Sequence, residues 1–137
     1  MNNFYILTGV PGSGKSTTAQ NLLLKIKNMK HFEADMFFIN KNGEYKWNPN
    51  LLHKAHQWCF NSVENEMKKG NDVIVSNTFI TKSSRKPYFD LAKKYKYNIH
   101  VIECKGRYKN IHGVNENKIE ILRKKYQPVT KDEYENN

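Results

Sequence analysis

Lys15 and Ser16 close the run Gly9-Val10-Pro11-Gly12-Ser13-Gly14-Lys15-Ser16, which meets the pattern Gly-x-x-x-x-Gly-Lys-Ser. Glycines at these positions let backbone N–H groups turn inward around a β-phosphate, and a following helix N-terminus adds a favourable dipole. Lys15 then reaches the β- and γ-phosphates, and the Ser16 hydroxyl holds Mg²⁺ that arrives with the nucleotide. Gly9, Gly12, Ser13, Gly14 and Thr17 complete the expected nucleotide contacts, so the sequence implies a P-loop that takes ATP with Mg²⁺.

The second chemical candidate is Asp35, which ends the strand read over His31–Ala34. A carboxylate there can take the proton of an acceptor hydroxyl or help position Mg²⁺ through water; as a bare residue it is equally a turn former. Asn77 and Thr78 follow Val73-Ile74-Val75, where many P-loop enzymes carry a metal-binding acid, and no carboxylate stands in Val75-Ser76-Asn77-Thr78. They are substrate contacts or turn residues. Metal affinity then leans on the nucleotide's own phosphates and on Ser16. In Lys105-Gly106-Arg107-Tyr108-Lys109-Asn110, Arg107 or Lys109 would neutralise charge developing on a transferred phosphoryl group. Tyr45, Lys46 and Trp47 interleave aromatic and basic side chains, as base-stacking surfaces do, or pack a hairpin onto the domain. His53, His56 and Cys59 repeat at three-residue spacing, but Cys59 belongs to an apolar helix face, so no metal site is expected there.

The elements that must position these residues alternate in type. Phe4–Thr8 reads as a strand, and Ala19, Leu22, Leu23 and Ile26 recur at helical spacing after the glycine-rich loop. His31–Ala34 reads as a second strand ending at Asp35. Asn42-Gly43 marks a turn in a small hairpin insert over Met36–Trp47. Asn48-Pro49 starts a helix to about Lys69, Val73–Val75 is a third strand, and Ser84 and Pro87 start a helix to about Tyr95. Asn98–Glu103 is a fourth strand, Lys105–Asn115 a basic loop and Glu116–Tyr126 a last helix. The polar tail Gln127–Asn137 is expected to fray. This order predicts a three-layer α/β domain over 1–126, with a mostly parallel sheet of four to five strands and a short lid.

With 137 residues, 38% of them hydrophobic, the chain suits one core. No apolar segment is long enough for a membrane span. Two cysteines do not make a disulfide framework, which points to a reducing cytosol or nucleus. The net charge is +10; between Lys82 and Lys109, nine Lys/Arg face two acids. Such a run is either a solubilising face or an attraction for a nucleic-acid backbone.

The P-loop run, Ala34-Asp35-Met36-Phe37-Phe38 and Gly43-Glu44-Tyr45-Lys46-Trp47-Asn48-Pro49 together resemble the small P-loop kinases related to polynucleotide 5′-hydroxyl kinase. The set is similar to the kinase domain of the animal Nedd-four-binding proteins and its phage and viral relatives. Ala55-His56-Gln57-Trp58, Asn77-Thr78, Lys86-Pro87-Tyr88 and Asn110-Ile111-His112-Gly113-Val114 extend the match from about Phe4 to Tyr126. The resemblance implies transfer of the ATP γ-phosphate to an alcohol, foremost the 5′-hydroxyl of DNA or RNA, in the host cytoplasm if the chain is viral. It puts Lys15 and Ser16 on the phosphates and makes Asp35 the general base. It reads His112 as a helix-entry or lid-anchoring residue. Met36 stands where relatives often have a second acid, and Phe79 where they often have asparagine. The lid before Asn110 is shortened, with Lys109 in place of an arginine. A kinase of a small metabolite or nucleotide, and a nucleotide-binding or ATPase module without transferase activity, are the alternatives. Oligomeric state is not legible.

Overall fold

The computed structural model describes residues 2–109 and 113–135. The chain runs β1 (Asn3–Thr8), α1 (Lys15–Lys25), β2 (Lys30–Phe32), α2 (Leu52–Lys68), β3 (Val73–Ser76), α3 (Lys82–Lys94), β4 (Asn98–Glu103) and α4 (Glu116–Lys125). Short 3-10 turns lie at Ala34–Phe38, Pro49–Leu51 and Lys131–Glu133. The four strands are parallel in the order β2-β3-β1-β4, the three-layer α/β architecture expected from the alternation of elements. Among the described residues no helix is long and apolar enough to cross a membrane.

Successive side chains of a strand point to opposite faces, so a strand covered on both sides must be apolar throughout. β1 and β3 meet this condition. Phe4, Ile6, Val73 and Val75 pack with Ala55, Cys59, Val63 and Met67 of α2 and Phe89 and Ala92 of α3. Leu7 and Ile74 join Ala19 and Met29 in a second, smaller core. Leu7 is level with Ser76, and Thr8 with Glu103. All four strands point the same way, so their carboxyl ends share one edge.

Several helix starts follow local chemistry. The Asn48 side chain accepts from Asn50 N at 3.0 Å, with Pro49 next, as that dipeptide predicts. A 3-10 turn precedes α2, which begins at Leu52 rather than at Pro49. α3 is capped by Thr81, whose hydroxyl accepts from Ser84 N at 3.2 Å, so Pro87 lies inside the helix instead of opening it. Over Met36–Trp47 the expected hairpin is reduced to a single bridge between Ile39 and Tyr45.

The expected fraying of the tail is overturned for residues 127–135. Gln127 N donates to Ile80 O at 2.8 Å, Val129 N to Glu103 Oε2 at 3.1 Å, and Tyr134 rests on Phe89. The anchor is Arg85, wholly buried, whose guanidinium binds Glu133, Phe79 O and Gln127 O. Arg85 therefore leaves the basic run between Lys82 and Lys109; it is an interior cation with its own carboxylate. Phe79 carries a left-handed backbone, φ 49°, with its ring buried edge-on to Tyr88.

Candidate active site

The residues 9–14 join β1 to α1. Gly9, Gly12 and Gly14 all have φ between 79° and 149°, a region that side chains make costly. A Cβ on Gly9 would lie 2.3 Å from Ser13 Oγ and 2.7 Å from Cys104 O, so this turn closes only around glycine. Gly14 caps α1, whose first turn has no acidic residue to cancel the positive end of the helix dipole. Lys15 Nζ donates to Gly9 O at 2.7 Å and Val10 O at 3.0 Å. Burial lowers its pKa, opposed by the charges of Cys104, Glu33 and Asp35. Ser13 Oγ is buried with no hydrogen-bond partner among the described residues.

This loop floors a cleft of about 460 Å³, a size usual for small-ligand sites. Lys15, Ser16 and Thr17 line it, and Asp35, Asn77 and Thr78 close the side formed by β2 and β3. β2 stops at Phe32, earlier than the strand expected over His31–Ala34, and the Asn77 side chain takes over beyond it. Ala34 N donates to Asn77 Oδ1 at 2.9 Å, which fixes the start of the 3-10 turn carrying Asp35. The Tyr45 hydroxyl donates to Asp35 Oδ1 at 3.3 Å. Burial and then the nearby Asp35 charge raise the Tyr45 pKa, which keeps this hydroxyl a donor. Thr78 contributes its carbonyl to Gly9 N at 3.1 Å.

The opposite wall is the loop after β4, laid directly on the P-loop. Gly106 N donates to Ser13 O at 3.0 Å and Tyr108 N to Gly12 O at 2.8 Å. A Cβ on Gly106 would meet the Tyr108 ring at 2.3 Å and Ser13 O at 2.9 Å, so only glycine permits this approach. Lys109 and Lys118 line the cleft from this side. Arg107 instead donates to Glu120 Oε1 at 3.0 Å, is two-thirds exposed and is not among the cleft-lining residues.

A P-loop between strand and helix, with an aspartate across the cleft, agrees with the family model AAA_33, described as an AAA domain, which matches residues 5–120. The chain belongs to that family. The AAA_33 domain is 33% identical over 132 residues to human NEDD4-binding protein 2, across 89% of this chain; it spans 7% of that relative's length. Its fold is similar to a chain of the Pnkp1/Rnl/Hen1 RNA repair complex, with TM-score 0.65 and 21% identity over 91% of this chain and 44% of that one. It is also similar to a sugar kinase from Janibacter sp., with TM-score 0.66 and 14% identity over 96% of this chain and 82% of that one. The AAA_33 domain thus has a P-loop kinase-like fold.

Several sequence-based expectations sit differently in the AAA_33 domain. Of the two cations expected in a lid, Lys109 is at the cleft, while Arg107 pairs with Glu120 of α4, which also pairs with Arg123. Asn77 acts on the backbone of the Asp35 turn, and Phe79 turns into the core. Trp47 is half-exposed, and neither it nor Tyr45 lines the cleft, though the Tyr45 hydroxyl bonds to Asp35, which does. Cys59 lies in the core and receives the Asn77 amide at 3.8 Å, while His56 lines the cleft, its pKa lowered by burial. His112 and Asn110 lie outside the described residues.

Sequence reasoning missed Glu33 and Lys118, both at the cleft. Glu33 Oε2 accepts from Ser76 Oγ at 3.1 Å, and Ser76 Oγ lies 2.7 Å from His31 Nε2. Burial pushes the His31 pKa from 6.5 down to about 4. Between those values the unfolded chain binds a proton that the folded imidazole refuses, so stability falls on acidification across this window. The loss contributed by His31 should reach about 3 kcal/mol near pH 4. Urea midpoints measured from pH 7 to 4 should show this slope, and His31→Gln should flatten it.

Proposed function

We propose that this domain is an ATP- and Mg²⁺-dependent kinase that phosphorylates an alcohol, foremost the 5′-hydroxyl end of DNA or RNA. The observation that carries the reading is Asp35 held across one cleft from Lys15 and Ser16, its turn pinned by Asn77 and its carboxylate oriented by Tyr45. Asp35 takes the acceptor's proton as the O–H bond breaks and the oxygen bonds to the γ-phosphorus; the bond from that phosphorus to the β-phosphate oxygen breaks and ADP leaves. Lys15 binds the phosphates, the α1 N-terminus holds the phosphate chain, and Lys109 or Lys118 neutralises the outer oxygens.

Magnesium suits the donors present, since the Ser16 hydroxyl and the Glu33 and Asp35 carboxylates are hard oxygen ligands. Among the described residues no three His, Cys, Asp or Glu side chains gather into a metal centre, so the ion would enter with the nucleotide. When bound it would draw charge from the β- and γ-phosphate oxygens.

The polynucleotide acceptor is supported by the relatives, one within an RNA repair complex, and by the surplus of Lys and Arg. The test is transfer of label from γ-labelled ATP to 5′-hydroxyl DNA and RNA oligonucleotides, beside simple polyols. Label on the 5′ ends that alkaline phosphatase removes is expected. Label on polyols alone would move the assignment to a small-molecule kinase. ATP binding with no acceptor labelled would end the kinase reading.

A further inference from the structure

The end of β3 lacks the carboxylate that P-loop enzymes often keep there, and Asn77 instead uses its side chain to hold Ala34 N. The adjacent strand supplies a carboxylate at the same edge. Glu33 follows β2 by one residue, in register with Ser76, since Phe32 is level with Val75. It lines the cleft with Lys15 and Ser16.

Its position is built from beneath. The Ser76 hydroxyl has one proton, and it goes to Glu33 Oε2. His31 Nε2 must therefore donate to Ser76 Oγ. The result is a directed chain, His31 to Ser76 to Glu33, in which each bond polarises the next. The Glu33 charge, like that of Asp35, opposes the lowering of the Lys15 pKa by burial. A carboxylate so held in the cleft that Ser16 also lines meets the need of a magnesium ion for oxygen acceptors around its bound waters. Asp35 is tied instead to the Tyr45 hydroxyl, which leaves it the base of the reading above.

We propose that Glu33 replaces the missing strand-three acid as the acceptor that orients the magnesium shell of the bound nucleotide, with Ser76 and His31 as its positioning residues. This deepens the ATP·Mg²⁺ reading above and rests on it.

The test is nucleotide binding without turnover, measured by calorimetry with a non-hydrolysable ATP analogue in EDTA and across a Mg²⁺ titration. Glu33→Gln keeps the shape and the bond from Ser76 but removes the charge. Its affinity in EDTA should match wild type within about twofold, while the Mg²⁺ needed for half of the tightening should rise about tenfold or more. Adding Asn77→Asp to Glu33→Gln returns a carboxylate to the strand-three end and should recover much of that shift. An unchanged Mg²⁺ requirement in Glu33→Gln would overturn the proposal. So would an equal loss of affinity with and without Mg²⁺, which would make Glu33 a support of the fold. Wild-type protein indifferent to Mg²⁺ would overturn the metal reading and this inference together. Normal Mg²⁺ dependence with no acceptor labelled would sink the kinase reading alone.

Discussion

Asp35→Asn should lower phosphoryl transfer by about 10²- to 10⁴-fold while leaving nucleotide affinity within about twofold. Asparagine fills the same space and its carbonyl can still accept from the Tyr45 hydroxyl, so the 3-10 turn at Ala34–Phe38 should persist. The Asn77 clamp on Ala34 N is untouched by the change. What disappears is the ability to accept a proton at the moment the hydroxyl attacks. In the proposed reading the nucleotide side is carried by Lys15, Ser16 and the α1 N-terminus, so binding should survive. Calorimetric affinity beside a labelled-ATP transfer assay separates the two quantities. Unchanged turnover would remove Asp35 from the mechanism.

The second large effect is on stability. Arg85→Ala should cost about 3–5 kcal/mol, read from urea midpoints, because a buried ion pair broken on one side leaves an uncompensated charge. The guanidinium reaches Glu133 Oε1 at 3.0 Å, Phe79 O at 2.6 Å and Gln127 O at 2.8 Å, and lies over the Tyr126 ring. Burial pushes the Glu133 carboxyl up, but Arg85 and the Thr130 N–H more than reverse this and hold it below its usual range. Glu133→Gln alone should also destabilise, and the double substitution should cost less than the two single losses combined. Strict additivity would show that the two side chains do not depend on each other.

How legible these features were depends on whether their causes are local. β4 reads from Asn98 to Glu103 because apolar residues sit between polar ends, and the P-loop reads because its glycines and lysine are contiguous. The tail does not read, since a polar segment from Gln127 onward looks solvated until one arginine 48 residues before Glu133 reaches it. Arg107 looked like a lid cation because its partner Glu120 lies 13 residues further on, across a loop. Glu33 was absorbed into a strand for the same reason. The residue that makes it a cleft carboxylate, Ser76, is 43 positions away and carries no charge to advertise the pairing.

Phe79 gives up conformational ease for burial. Its backbone sits at φ 49°, a conformation that asparagine tolerates far better than a bulky aromatic. Backbone shape alone would therefore favour asparagine at this position. In this chain the same strained bend turns its carbonyl to Arg85 and sinks a phenyl ring against Tyr88. The strain of the bend is thus set against the packing of one ring and the seating of Arg85.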